Sequence, residues 1–134
     1  MLPLVIAYVV TVVVFLAVDF VGLSYIVKPT FERYISDWLL EDLRLGPALA
    51  FYLFFVIGVI WFVSAPAIFN DKTLVWVFLN AAFLGALAYG TYEFTNLATL
   101  RDWSWTMVAT DLTWGTFLTG FSATVGVAVT RALT

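Results

Sequence analysis

Three acidic residues, Asp19, Glu93 and Asp111, lie inside long hydrophobic stretches of the sequence. A carboxyl group in such surroundings can act as a general acid or base, hold a cation or a proton, or hydrogen-bond a neighbouring helix. On insertion scales, a charged side chain at the centre of a membrane costs about 2.5–3.5 kcal/mol, and such residues usually serve a function. We therefore expect the chemistry of this chain to be centred on the three acids.

Aromatic, amide and hydroxyl side chains surround the acids at helical spacing. Tyr89, Glu93 and Asn96 are spaced i, i+4 and i+7, which places them along one face of a helix. Further polar and aromatic residues follow between this helix and the third acid. The predicted polar cluster comprises Asp19, Tyr89, Tyr92, Glu93, Asn96, Thr99, Arg101, Trp103, Asp111 and Trp114.

The composition indicates an integral membrane protein. Of the 134 residues, 63% are hydrophobic and 11% are charged, whereas a soluble domain is about half apolar and about a quarter charged. The mean hydropathy is +1.03. A single core of this size cannot cover so much apolar surface, so lipid must supply the apolar surroundings.

The sequence contains no cysteine and no histidine, two residue types that are common in catalytic and metal-binding sites. Disulfides, thiolate or histidine metal sites, and catalytic Ser-His or Cys-His pairs are therefore excluded. We expect neither a metal site nor a cofactor. The net charge of −3, with no basic run, argues against binding of nucleic acid.

Four hydrophobic stretches predict an all-α fold, a four-transmembrane-helix bundle that forms a single membrane domain. The first stretch covers about 36 Å as a helix, enough to cross a hydrocarbon layer of about 30 Å. We expect Lys28-Pro29 to end that first helix. The predicted spans are approximately residues 4–27, 47–69, 73–98 and 106–130.

An additional amphipathic interfacial helix is predicted between the first and second spans, at approximately residues 31–45. Charged side chains occupy one face, and we expect the helix to lie in the membrane interface and cover the end of the bundle. That position is favoured over docking of a partner. The apolar face consists of Phe31, Tyr34, Ile35, Trp38, Leu39 and Leu43.

The three acids are expected at one depth in the membrane. Asp19 lies nine residues before Lys28, Glu93 lies eight before Arg101, Asp111 lies eight after Trp103, and successive spans run in opposite directions. All three therefore fall beneath the same membrane face, roughly 12 Å deep. Because no Lys or Arg lies within a span, we expect a proton, a cation, an amine or a hydroxyl-rich group to balance the acids.

These motifs resemble those of a family of small bacterial inner-membrane proteins classed as a domain of unknown function. Many members carry Asp at the position of Glu93. The resemblance implies four spans and a multi-pass location in the bacterial inner (cytoplasmic) membrane, and it implies no particular activity. It rests on Asp19, on Tyr92-Glu93-Phe94-Thr95-Asn96-Leu97-Ala98-Thr99-Leu100-Arg101-Asp102-Trp103, and on Asp111-Leu112-Thr113-Trp114-Gly115.

Three functions fit the sequence, and it leaves open whether any of them is enzymatic and which residues would be catalytic. The first is binding of a lipid-like or amphipathic small molecule whose polar end meets the acids. The second is a proton- or cation-coupled transporter subunit, which would need to form a homodimer. The third is a structural or accessory subunit in which the polar groups join helices. Acids near one face favour the first and third, with membrane lipids as the expected partners.

Overall fold

The computed structural model describes residues 1–40 and 44–134 of the chain. Four helical segments in this part are long and apolar enough to cross a membrane: Leu2–Trp38, Leu45–Phe69, Leu74–Thr99 and Trp105–Leu133. The predicted all-α bundle with four transmembrane helices is therefore confirmed. The α-helices are α1 (Leu2–Gly22), α2 (Lys28–Ile35), α3 (Leu45–Val59), α4 (Ala65–Phe69), α5 (Leu74–Thr99) and α6 (Trp105–Leu133).

The first transmembrane helix continues through Lys28-Pro29, so the prediction that it ends there is wrong. A π-helical turn at Leu23–Val27 joins α1 to α2. Within a regular α-helix, proline lacks a hydrogen bond donor and clashes with the carbonyl four residues earlier. The π turn widens the helix just before Pro29, and the Lys28 N–H donates to the Leu23 carbonyl. The helix therefore accommodates the proline without breaking.

The predicted interfacial helix at 31–45 also differs from the structure in its bounds. Its first half is the end of the long first helix, which closes in a 3₁₀ turn at Ser36–Trp38, and Leu45 already begins α3. Residues 41–43 of the prediction lie outside the described residues. The amphipathic pattern arises because Phe31 and Ile35 pack toward the buried Trp103, which lies in the turn just before α6. The opposite face of α2 is exposed.

A second π turn, at Ile60–Ser64, precedes Pro66 and connects α3 to α4. Here the Ala65 N–H donates to the Ile60 carbonyl, so the helix again widens immediately before a proline. In both cases the proline stands six residues after the first residue of the π turn. The helix then reaches Phe69, and the predicted tight turn follows, with Asp71 at a φ of 50°.

The bundle is built around α6, which packs most extensively on α5 and next on α1. Both long helices of the α5–α6 hairpin begin at a hydroxyl cap, since Thr73 accepts from the Trp76 N–H and Ser104 accepts from the Met107 N–H. At the end of the bundle that holds the turn after α4, an apolar core fills the interior. It consists of Val59, Val63, Ala67, Val77, Ala81, Ala123 and Val127.

Arg131 joins the last turn of α6 to the end of α4. Its guanidinium donates to the Ala67 carbonyl at 3.0 Å and also to the Lys72 carbonyl. We expect Arg131→Met to lower the free energy of unfolding by about 1 kcal/mol, because two backbone carbonyls lose a charged donor. Thermal denaturation in detergent checks this, with Arg33→Met on the exposed side of α2 as the control. Equal melting temperatures for the two variants would contradict it.

The N-terminal half of α3 stands away from the other helices. Residues 44–51 are exposed throughout, whereas Val56 and Val59 farther along the same helix are buried. The space between α3 and the first helix ends where α3 contacts that helix. There the Tyr8 hydroxyl donates to the Leu53 carbonyl at 3.0 Å, and the ring of Phe15 packs on Tyr52. A cleft is therefore left beside α3 at the end of the bundle where the acids lie.

Candidate functional site

A cleft of about 1420 Å³ lies between the α1–α2 helix, the first half of α3, and α5. Its walls are mainly apolar and aromatic, and its lining includes side chains from four of the helices and one residue of α6. The polar residues of the lining fall into two groups. One group forms the floor, deep in the bundle, and the other lies at the mouth.

Two carboxyl groups form the floor, that of Asp19 from α1 and that of Asp111 from α6. Only 3% of Asp19 and 8% of Asp111 is exposed. The indole N–H of Trp114 donates to Asp19 Oδ1 at 3.0 Å, which joins α6 to α1. The Tyr52 hydroxyl, from α3, lies close to the Asp19 carboxyl. The floor therefore assembles side chains from three helices.

Glu93 lies behind the floor and does not line the cleft. It is 0% exposed, and its Oε1 accepts from the indole N–H of Trp103 at 2.9 Å. Its Oε2 has no hydrogen bond partner, although the carboxyl is a neighbour of that of Asp111. Two carboxyl groups can bond to each other when one carries a proton. The third acid thus supports the floor from within the protein.

Tyrosine and tryptophan rings connect the acids. Tyr92 packs edge-to-face on Trp103, with ring centroids 5.8 Å apart, and Phe31 packs on the same indole at 5.3 Å. The ring of Tyr89 fits against Gly115 of α6, and its buried hydroxyl has no hydrogen bond partner. The aromatic groups hold α2, α5 and the start of α6 together around the acid layer.

The mouth of the cleft carries opposite charges. Lys28 and Glu32 both line it and form an exposed ion pair at 3.9 Å, one helical turn apart. Pairs of this kind contribute little stability, so both groups are available to a ligand. Within the described part of the chain, Lys28 is the one basic residue of the cleft lining.

The structure brings seven of the ten predicted cluster residues together in one layer: Asp19, Tyr89, Tyr92, Glu93, Trp103, Asp111 and Trp114. Asn96 lies beside Tyr92, outside the cleft lining. The Thr99 hydroxyl donates to the Thr95 carbonyl of its own helix at 2.8 Å. Arg101 is exposed on the turn before α6. Thr99 and Arg101 therefore lie apart from the floor.

Several residues of the site were missed from the sequence. Tyr52 lies in a span without charges, and nothing in its neighbourhood distinguishes it from a lipid-facing tyrosine. Lys28 and Glu32 have a detectable signal, because opposite charges at i and i+4 mark one helix face. That signal was hidden by the expectation that Pro29 separates two helices.

The three acids share a layer without forming a metal site. Across residues 1–40 and 44–134, no group of three acidic side chains converges with the spacing of metal ligands. Asp19 is held by an indole, and Glu93 by another. The arrangement offers hydrogen bond acceptors on the floor of an apolar cleft, which suits the polar end of an organic molecule better than a bare ion.

Comparison with known proteins identifies the family. A family model described as "Predicted membrane protein (DUF2177)" matches residues 4–128. No curated protein and no solved structure matches the chain. The matched region covers most of each of the four helices that can cross a membrane, and it includes every acid of the layer. This multi-pass membrane protein therefore belongs to the DUF2177 family.

Proposed function

We propose that the protein binds a lipid-like or amphipathic small molecule in the cleft, with the polar end of the ligand against Asp19 and Asp111. The observation that carries the proposal is an apolar cleft that ends on two carboxyl groups. Small-molecule sites typically combine apolar walls with a few placed polar groups. The polar groups fix the orientation of a ligand, while the walls contribute most of its buried area.

The size of the cleft supports a ligand with a long apolar part. Typical pockets measure about 300–1,000 Å³, and this one has a volume of about 1420 Å³. Phe51 and Phe55 of α3 and Leu23 of the first helix are among the apolar side chains of its walls. A hydrocarbon chain along these side chains would fill space that a compact polar molecule would leave open.

The hydrogen bonds of the acids favour a ligand site for two of them and a structural role for the third. Glu93 is fully buried and bonded to Trp103, as expected of a group that joins elements. Asp19 and Asp111 instead reach the cleft surface. The structural or accessory alternative therefore has its best support at Glu93, and the binding proposal at the other two acids.

A transporter is supported less well, because a transported ion or molecule needs access to the site from both sides of the membrane. The cleft lies at one end of the bundle. In the described residues, the other end is filled by the apolar core that includes Val63, Val77 and Val127. A second copy of the chain would be needed to build a route past that core, and a homodimer remains a prediction.

The test is native mass spectrometry of the gently purified protein beside Asp19→Asn and Asp111→Asn. We expect a small-molecule adduct on the parent that is lost, or reduced about tenfold, in both variants, because each removes a carboxyl group at the proposed contact with the polar end of the ligand. Asp71→Asn is the control, since that acid lies in the turn far from the cleft and Asn tolerates its positive φ. Retention of the adduct in both floor variants would contradict the proposal, and so would its absence from the parent.

We also propose a location in the bacterial inner membrane, supported by the sequence resemblance, with membrane lipids as neighbours. The apolar side chains exposed along the spans, among them Val13, Phe54 and Phe83, support contact with lipid. The masses in the same spectra report a homodimer directly, at about twice the 15.0 kDa of one chain.

A further inference from the structure

We infer that the polar end of the ligand is an organic ammonium cation. The inference rests on the proposed function and narrows it to one class of molecule, an amphiphile with an amine or quaternary ammonium group. The observations that carry it are the acceptors on the floor, the aromatic side chains around them, and a backbone carbonyl left without a donor in the wall.

The floor is rich in acceptors and lacks cations. Asp19 and Asp111 both face the cleft, and the described polar neighbours of Asp19 are an indole and a phenol. The one basic residue of the lining within the described part of the chain, Lys28, lies nine residues from Asp19, about 13 Å along the helix, at the mouth of the cleft and away from its floor. An ammonium group would supply the missing positive charge and up to three donors.

The acid layer is not satisfied by the protein alone. Glu93 is completely buried, yet its Oε2 has no hydrogen bond partner, and its carboxyl is directed at Asp111 from behind the floor. The hydroxyl of Tyr89, which lines the same cleft, is also buried and unpartnered. Buried polar groups normally find partners. Because Tyr89 lines the cleft and Glu93 does not, the unmet Tyr89 hydroxyl is the group that points to a bound partner on the cleft side.

Aromatic side chains surround the space above the floor. Seven of the lining residues are aromatic, and Tyr52 and Tyr89 lie near the acids. A cation over an aromatic face gains about 0.5–2 kcal/mol, and sites for quaternary ammonium groups use several such rings together with an acid. Neither a phosphate nor a sulfate would gain from this combination, because the negative ring faces and carboxylates repel an anion.

The π turn adds one more acceptor to the wall. In a regular helix the Ser24 carbonyl would bond to the Lys28 N–H, but that N–H donates to Leu23. The next residue, Pro29, has no N–H to offer. The Ser24 carbonyl therefore has no donor at either of the two helical positions that would normally bond it, and residue Ser24 lines the cleft. A donor-bearing ligand can satisfy it, whereas an anionic or purely apolar one cannot.

The test compares four amphiphiles with the same chain: decyltrimethylammonium, which carries the charge alone, decylammonium, which adds N–H donors, decanol and decanesulfonate. Binding to the full chain is measured by titration calorimetry in nanodiscs of digalactosyl diacylglycerol, a bilayer lipid without an ammonium group. We expect both cations to bind at least about tenfold more tightly than the neutral and anionic probes, in line with a charge-assisted contact, and decylammonium to bind the more tightly of the two because it has N–H donors. Asp19→Asn and Asp111→Asn should each remove most of that preference.

Variants of Tyr52 separate the aromatic contribution from a general loss of fold. Tyr52→Phe keeps the ring and should retain the affinity for decyltrimethylammonium within about threefold, whereas Tyr52→Leu should lose about threefold to thirtyfold. Asp71→Asn should match the parent. Melting temperatures of all variants confirm that each is folded before its affinity is compared.

The ammonium group could belong to a free cationic amphiphile or to a lipid headgroup, and a second arm distinguishes them. Phosphatidylethanolamine or phosphatidylcholine is added to the nanodiscs, and displacement of decyltrimethylammonium identifies a headgroup as an occupant. Lack of displacement identifies a free cationic amphiphile. Equal or tighter binding of decanol or decanesulfonate would overturn the inference, as would unchanged affinities in Asp19→Asn and Asp111→Asn.

The two proposals fail in distinguishable ways. An adduct that depends on Asp19 and Asp111 but carries no positive charge would leave the proposed function standing and overturn the ammonium inference. Absence of any acid-dependent ligand, in native spectra and in the titrations, would overturn both.

Discussion

Replacing Trp103 by alanine is expected to lower the free energy of unfolding by about 3–5 kcal/mol, the usual cost of removing a large buried aromatic side chain. Trp103 is only 8% exposed, and its ring contacts both Phe31 and Tyr92. The change would also take from Glu93 its one hydrogen bond donor among the described residues. A buried polar group left unpaired costs about 1–3 kcal/mol, which is part of the expected total.

Trp105 supplies a matched control two residues along the chain. It is 69% exposed and lies within 6.0 Å of Phe94 by ring centroids, so Trp105→Ala should cost far less than Trp103→Ala. Trp103→Phe should fall between the two, because it keeps most of the packing and loses the hydrogen bond. Unfolding in mixed detergent micelles, followed by circular dichroism, gives the three values. Similar losses for Trp103→Ala and Trp105→Ala would contradict this account of the acid layer.

Gly115→Ala is expected to destabilise the protein by about 1–3 kcal/mol or more, the range for overpacking a well-filled interior. A Cβ at position 115 would overlap the Tyr89 ring at the atoms nearest its own backbone. That part of a side chain cannot swing aside, so α5 and α6 would have to separate or the tyrosine would have to change rotamer. Either change moves Tyr89 at the floor of the cleft.

Gly58 is the control for this substitution. A Cβ there would meet nothing within 4 Å, and alanine has the higher helix propensity. Gly58→Ala should therefore leave the apparent melting temperature unchanged or slightly raised, while Gly115→Ala lowers it. Gly115→Ala should also weaken any acid-dependent ligand in native spectra. A Gly115→Ala protein as stable as Gly58→Ala would mean that the close α5–α6 contact at Tyr89 is not as described.

The number of spans, the approximate bounds of the last three and the shared layer of acids follow from the sequence, because hydropathy and span direction depend only on residue order. Asp19 and Glu93 could be placed at one depth by counting from the span ends. Their partners could not, since the Trp114–Asp19 bond joins residues 95 positions apart and depends on helix rotation. Rotation in a bundle is set by packing, which hydropathy alone does not determine.

The cleft itself was also beyond sequence reasoning. It exists because the first half of α3 stands away from the bundle, and the residue pattern of that half does not predict the separation. The sequence therefore did not indicate Tyr52 as a residue of the site. The missed continuation past Pro29 has a clearer cause, since the rule that proline ends a helix assumes a regular α-helical turn before it. That assumption does not hold here, because the turn before Pro29 is a π turn.

The paired π turns have a consequence for how side chains are counted along the two helices that contain them. A π turn amounts to one extra residue in an α-helix, and one residue rotates everything after it by about 100°. Asp19 and Phe31 are twelve residues apart, so a regular helix would place them about 120° apart, whereas the extra residue of the π turn reduces this angle to about 20°. Both side chains therefore line the same cleft. Deleting one residue between Leu23 and Val27 would restore a regular helix and keep Asp19 and Phe31 on one face, whereas a regular helix that retained all the residues would rotate Phe31 away from the cleft. The extra residue thus keeps one face of a long helix continuous across a proline.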